Sequence, residues 1–218
     1  ALMEFPVLFL GAKPQNTPSL YSLMNYAGLK LGTYYPMGGF YSLVEAMVKV
    51  CKNQGVSFHN NSSITNINIT NKLATSITIN GEQNKFDGLI GSADYHHVET
   101  LLPVEYRNYS EKYWKTKTFA PSSLIFYIGI NKKVSKLEHH TLFFDTDFEQ
   151  HATEIYDTKK WPEKPLFYTC APSKTDPSVA PENCENLFIL MPLASGIEDT
   201  DELRDKYFSI LMGRLEKH

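Results

Sequence analysis

The alternation of apolar and polar positions changes period several times along the chain, and each change marks an element. Residues 1–33 are apolar but irregular, broken by Pro6, Pro14 and Pro18. Only Ser19–Tyr26, where Leu20, Leu23 and Met24 share one face, predicts a short helix there. From Phe40 to Asn53 the period is helical, with Leu43, Val44, Met47, Val48 and Cys51 on one stripe and Gly55 just past the end. The period then drops to two. Val56–Ile69 (with turn-forming residues in its middle), Leu73–Ile79 and Lys85–Ile90 read as strands of a compact meander, with Asn80-Gly81 as a hairpin signal. Asp94–Leu102, stopped by Pro103, and Tyr106–Lys117 read as helices. Four more strands are predicted at Ser123–Ile130, Thr141–Phe144, Leu166–Cys170 and Leu187–Leu193, with a helix over Phe148–Lys159 among them. Pro172–Glu185, rich in Pro, Ser, Asp and Asn, is expected to be an exposed loop. Asp199–His218 closes the chain as a helix, with Leu203, Tyr207, Ile210, Leu211 and Leu215 as its buried face. Strands grouped with helices, without strict β-α-β alternation, predict an α+β fold.

Composition narrows the function classes. Among 218 residues, 42% are apolar and 21% charged, which is enough to fold a core and argues against disorder. A formal charge of −3 supplies no basic field for nucleic acid. Cys51, Cys170 and Cys184 lie far apart with no C-x-x-C, so neither a disulfide framework nor an all-cysteine zinc site is expected, and a reducing compartment suits them. No run approaches the ~20 apolar residues of a membrane span. The greasiest stretch, Leu2–Ala12, lacks the basic flank of a signal peptide. The sequons at Asn60, Asn61, Asn68 and Asn108 are read as by-products of an Asn-rich sequence. The chain opens inside an apolar segment and closes inside a helical one, so a piece of a larger protein is the expected reading.

Candidate chemistry is sparse. In Pro36-Met37-Gly38-Gly39-Phe40 two glycines remove side chains where backbone can approach a flat ligand, and the following helix adds its positive end; a plain tight turn is the alternative. Asp94 suits an N-cap better than a metal site with His96 and His97, because adjacent helical residues diverge by ~100°. His139-His140 with Asp145 and Asp147 resembles a metal cluster on paper, but on a strand only one of two adjacent histidines can take part, so no metal site is expected. Phe126, Tyr127, Phe143, Phe144, Phe167, Tyr168 and Phe188 all fall in predicted strands. They either fill a core or wall a long apolar cavity. No G-x-S-x-G elbow, no G-x-G and no P-loop occur.

Residues 2–67, with LGTYYPMGGFYSLVEAMVKV at their centre, resemble the middle of bacterial-type phytoene desaturases. GLIGSADYHHVETLLP, PSSLIFYIGINKKV, HHTLFFDTDFEQHATEIYD and APSKTDPSVAPENCENLFILMPL continue the resemblance in order. These enzymes belong to the flavin amine oxidase-like superfamily and use FAD to take hydride from a polyene precursor of carotenoids. The resemblance implies an oxidoreductase whose Gly-rich FAD loops lie outside this sequence. The expected architecture is a mixed or antiparallel substrate-domain sheet flanked by helices, plus a β-meander from an incomplete FAD-binding domain. It implies that residues 1–55 belong to the substrate domain, that 56–98 are a segment of the FAD domain, and that 99–218 complete the substrate domain. Carried over residue by residue, Gly38, Gly39, Ile64, Ser92 and Ala93 would approach FAD, Ile64 through its main chain to adenine. Tyr35, Pro36, Met37, Phe126 and Phe143 would face the polyene. No catalytic residue is assigned, since the family's acidic and basic candidates lie upstream. FAD is expected to bind the complete protein and not these residues alone, which by themselves are expected to be inactive. The expected setting is cytoplasmic and peripheral to the inner membrane, in contact with an apolar polyene and not with nucleic acid. A non-catalytic apolar-ligand module, and an isomerase or oxidase acting on another substrate, are the competing readings.

Overall fold

Phe40–Asn53 forms a helix over the predicted span, and Gly55 ends it at φ +84°. The computed structural model that shows this describes residues 3–8, 10, 12–117 and 119–217. Leu2, Phe9 and Gly11 of the opening apolar stretch, and His218 of the closing helix, lie outside the described residues. In chain order the helices and strands are α1 (Phe5–Leu8), α2 (Ser22–Tyr26), α3 (Phe40–Asn53), β1 (Ile64–Thr70), β2 (Leu73–Ile79), β3 (Glu82–Lys85), α4 (Tyr95–Thr100), α5 (Glu111–Trp114), β4 (Ser122–Ile130), β5 (His140–Phe143), α6 (Phe148–Tyr156), β6 (Phe167–Cys170), β7 (Glu185–Leu193) and α7 (Asp201–Leu215). Helices with antiparallel sheets make the α+β class expected from the pattern. The chain divides into two units, Ala1–Lys49 with Phe119–His218, and Val50–Thr118.

In the smaller unit, β1, β2 and β3 form an antiparallel meander. Asn80 and Gly81 sit at φ +49° and +88°, the paired left-handed conformation that matches the twist of a two-residue hairpin. Such a turn starts the next strand at once, so β3 is Glu82–Lys85 and not the predicted Lys85–Ile90. Likewise the first strand begins at Ile64, because Asn60 and Asn61 form a turn before it. Asp94 caps α4 by accepting the His97 N–H at 3.0 Å, the role its position suggests. The predicted second helix shrinks to α5, since Ser110 caps a new start there.

The larger unit is built on a four-stranded antiparallel sheet in the order β4-β7-β6-β5. Leu124, Phe143, Phe167, Ile189 and Met191 leave one face and meet Tyr207 and Leu211 of α7, forming the core. Thr200 caps α7 through the Leu203 N–H. The apolar stripe of α3 is largely exposed (Leu43 50%, Met47 62%), because an amphipathic period requires a helix but does not supply its cover. One expectation fails here. The segment from Pro172 to Glu185 is partly buried, with Ser173 and Asp176 inside. Its polar side chains satisfy the main chain there, as in the paired contacts between Ser173 and Asn186.

Candidate functional site

The pleat sends neighbouring residues to opposite faces. It therefore divides the strand aromatics between the two faces, so that they do not act as one group. Phe126, Phe143 and Phe167 turn toward α7: Phe143 stacks on Phe167 at 4.4 Å, and Phe126 meets Phe208 edge-on at 5.1 Å. The other face carries a cross-strand row in direct register, His140 opposite Cys170, Cys170 opposite Phe188, and Phe188 opposite Tyr127. Tyr168 stands beside it. Ring contacts run from His140 to Tyr168 (5.8 Å), Tyr168 to Phe188 (6.3 Å) and Phe188 to Tyr127 (5.4 Å). Tyr127 is 81% exposed, while Phe188, Tyr168 and Cys170 are half-buried.

The row ends at the glycine turn. His139 packs on His140 (4.4 Å) and on Tyr35 (4.9 Å), three residues before Gly38. Gly38 and Gly39 both adopt φ +86°, a conformation that L side chains rarely take. The turn is satisfied from within. Gly39 donates its N–H to Pro36 O at 3.0 Å, and Gly38 donates to Asp176 Oδ2 at 2.6 Å. Ser178 adds its N–H and hydroxyl to the same carboxylate. Both amides are therefore occupied within the protein. Met37 is exposed and Pro36 half-buried beside it. Asp176 was not singled out from the sequence. The Asp176-Pro177-Ser178 turn pattern was the available signal, hidden by reading the segment as exposed loop.

The electrostatics of this surface are quiet. Burial pushes the Tyr35 and Tyr168 hydroxyls up from their ordinary values, and pushes up the Cys170 thiol against an opposing Tyr168 hydrogen bond. Burial, then the neighbouring His139, holds His140 below the usual imidazole value. All four side chains are uncharged at neutral pH. Hydrogen bonds to the Ser178 side chain and then to the Gly38 amide keep Asp176 below the usual carboxylate range. His139, His140 and Cys170 converge, contrary to strand alternation, because β5 begins at His140 and His139 precedes the pleat.

A second feature of the same unit is a cavity of about 780 Å³ walled by Leu142, Phe143, Leu187 and Met212, with Lys132 and Lys136 at its edge. Phe143 thus joins core and cavity, while Phe126 belongs to the helix side of the sheet. In the smaller unit Ile64 begins the edge strand β1 and is 38% exposed. Ser92 and Ala93 are exposed loop residues. Gly91 lies so near Val98 that an added Cβ would come within 3.0 Å of Cγ1.

No family model matches the chain. It is 40% identical over 207 residues to a carotenoid 3,4-desaturase of Haloarcula japonica, covering 94% of this chain and 42% of that protein. A 4,4'-diapolycopen-4-al dehydrogenase of Metabacillus indicus is 32% identical over 87% of this chain and 38% of its own length. A zeta-carotene-forming phytoene desaturase of Myxococcus xanthus is 28% identical over 96% of this chain and 41% of its own. The resemblance to carotenoid desaturases therefore holds across nearly all of the sequence, and the chain spans about two fifths of the length of these curated relatives.

Proposed function

We propose that this chain, a carotenoid-desaturase-like sequence, forms the substrate-holding part of an FAD-dependent oxidoreductase that introduces double bonds into a long apolar polyene. The 40% identity to the Haloarcula enzyme over nearly the whole chain carries this reading. The uncharged aromatic row supports it, since a flat hydrocarbon gains from ring faces and offers no polar group to satisfy. Four strands set ~4.8 Å apart give a track of roughly 14 Å across the sheet, ending at Tyr35 and the glycine turn. In this reading Tyr127, Phe188 and Tyr168 hold the polyene, while Tyr35, Pro36 and Met37 aim it. The bare Gly38–Gly39 surface lets a flat ring approach. Phe126 and Phe143 support the sheet from behind. Ile64, Ser92 and Ala93 would hold the nucleotide through main-chain groups. FAD, when bound, supplies the hydride acceptor, and the side chains of this chain position the substrate and exclude water.

No helix among the described residues is long and apolar enough to cross a membrane. A polyene dissolved in a bilayer then reaches this surface by peripheral contact on the cytoplasmic side. The Metabacillus relative is named for an aldehyde dehydrogenation, which favours a second reading in which a related oxidation acts on another end group. The test uses the full-length protein with FAD and phytoene in liposomes. Bound-flavin absorbance and a product with a longer conjugated system are expected. Exposed Tyr127→Ser should leave folding intact and lower kcat/KM by roughly tenfold. Neither flavin nor product would sink the proposal, and product identity separates the two readings.

A further inference from the structure

His140 and Cys170 stand directly opposite each other in the β5–β6 register, so both side chains leave the same face. The His139 carbonyl accepts the Ala171 N–H at 2.8 Å, which fastens that residue across the end of the strand pair. The three side chains place one donor atom each within 4.8 Å of one another. Each imidazole also has an anchor. Nδ1 of His139 meets Thr175 Oγ1 at 2.6 Å, and Nδ1 of His140 meets Tyr168 Oη at 2.5 Å. A ligating histidine commonly fixes its second nitrogen in this way. With Nδ1 held, Nε2 is the remaining donor on each ring.

We propose that His139, His140 and Cys170 bind a late first-row divalent metal ion of the zinc type, with a fourth position left for water. Two imidazoles and a thiolate favour such an ion over magnesium or calcium, which take oxygen ligands. Bonds of ~2.3 Å to sulfur and ~2.0 Å to nitrogen set tetrahedral donors about 3.3–3.6 Å apart, so the side chains draw together on binding. His140 is exposed and His139 half-buried, and both can rotate to do so. The thiol proton leaves to buffer as the metal–sulfur bond forms. The ion would clip the start of β5 to the end of β6 behind Tyr35. The site stands apart from the flavin reading, because metal binding is read without turnover.

The test titrates Co²⁺ into the intact, reduced, metal-free protein. A thiolate-to-cobalt charge-transfer band that saturates at one equivalent is expected. Cys170→Ser should abolish it, and His139→Ala or His140→Ala should weaken binding by at least about tenfold, the lower range seen for loss of mere supporting groups. Cys51→Ser and Cys184→Ser should leave it unchanged. Zn²⁺ should raise the Tm of the wild type and not that of Cys170→Ser. Absence of the band in folded protein, or its survival in Cys170→Ser, overturns the proposal. So does unchanged Co²⁺ affinity in His140→Ala, whose exposed side chain makes loss of folding no excuse.

Discussion

Asp176 is almost fully buried, yet its carboxylate is stabilised by three donors, the Gly38 N–H and the N–H and hydroxyl of Ser178. One side chain thereby holds two loops distant in sequence and fixes the turn that meets Tyr35. Asp176→Asn weakens this clamp, because a neutral amide accepts more weakly than a carboxylate. Amide exchange at Gly38 should accelerate by about tenfold or more, read by hydrogen–deuterium exchange, while exchange in β7 stays unchanged. The lowered Asp176 pKa adds a pH signature. The clamp is present above the ordinary carboxylate value of 3.8 and is lost as pH falls through the still lower folded value. The sequence offered Gly38 and Gly39 directly, since paired glycines announce unusual backbone. It offered Asp176 only as one polar residue of a loop, because the partner that makes it matter lies 138 positions away.

At the scale of elements, α6 is fastened to the sheet by His151, which is 1% exposed. Its Nδ1 accepts the Leu166 N–H at 3.0 Å and its Nε2–H donates to Pro192 O at 3.1 Å, so only the neutral ring satisfies both. Burial holds its pKa below the ordinary 6.5. For a base held neutral, the unfolded chain takes up the proton first as pH falls. Stability is therefore full above pH 6.5 and declines below it until the folded value is passed. Denaturant titrations from pH ~7.5 to ~5 should show a loss approaching about 1.4 kcal/mol per pH unit, a slope absent in His151→Gln. In β6, Thr169 is fully buried and its Oγ1 has no hydrogen-bond partner among the described residues. Thr169→Val removes a desolvated hydroxyl at nearly constant shape and should stabilise by about 1 kcal/mol, measured by thermal or denaturant unfolding. The four strands of the larger sheet and β2 were readable from their period of two to within a residue or two, whereas turns displaced the start of β1 and the whole of β3. The order of the strands was not readable, because β4 pairs with β7 across a segment of more than fifty residues.

At the scale of the whole molecule, the chain contains no G-x-G sequence, and phosphate cradles of dinucleotide folds depend on such close backbone approach. FAD titrated into the 218-residue chain should therefore show no fluorescence change at micromolar concentrations, and titrated into the full-length protein it should show one; tight binding to this chain would contradict the division of labour proposed above. What the sequence determined by itself was local. It set the helix at Phe40–Asn53, the Asn80-Gly81 hairpin, the Asp94 cap and the buried face of α7, because each follows from side-chain period or backbone conformation within a few residues. A long ordered series of segments also marked the family. Only the tertiary structure decided which aromatics share a face, that Asp176 grips Gly38, and that His139, His140 and Cys170 meet, because strand register and loop closure arise from pairings between distant residues that no local pattern encodes.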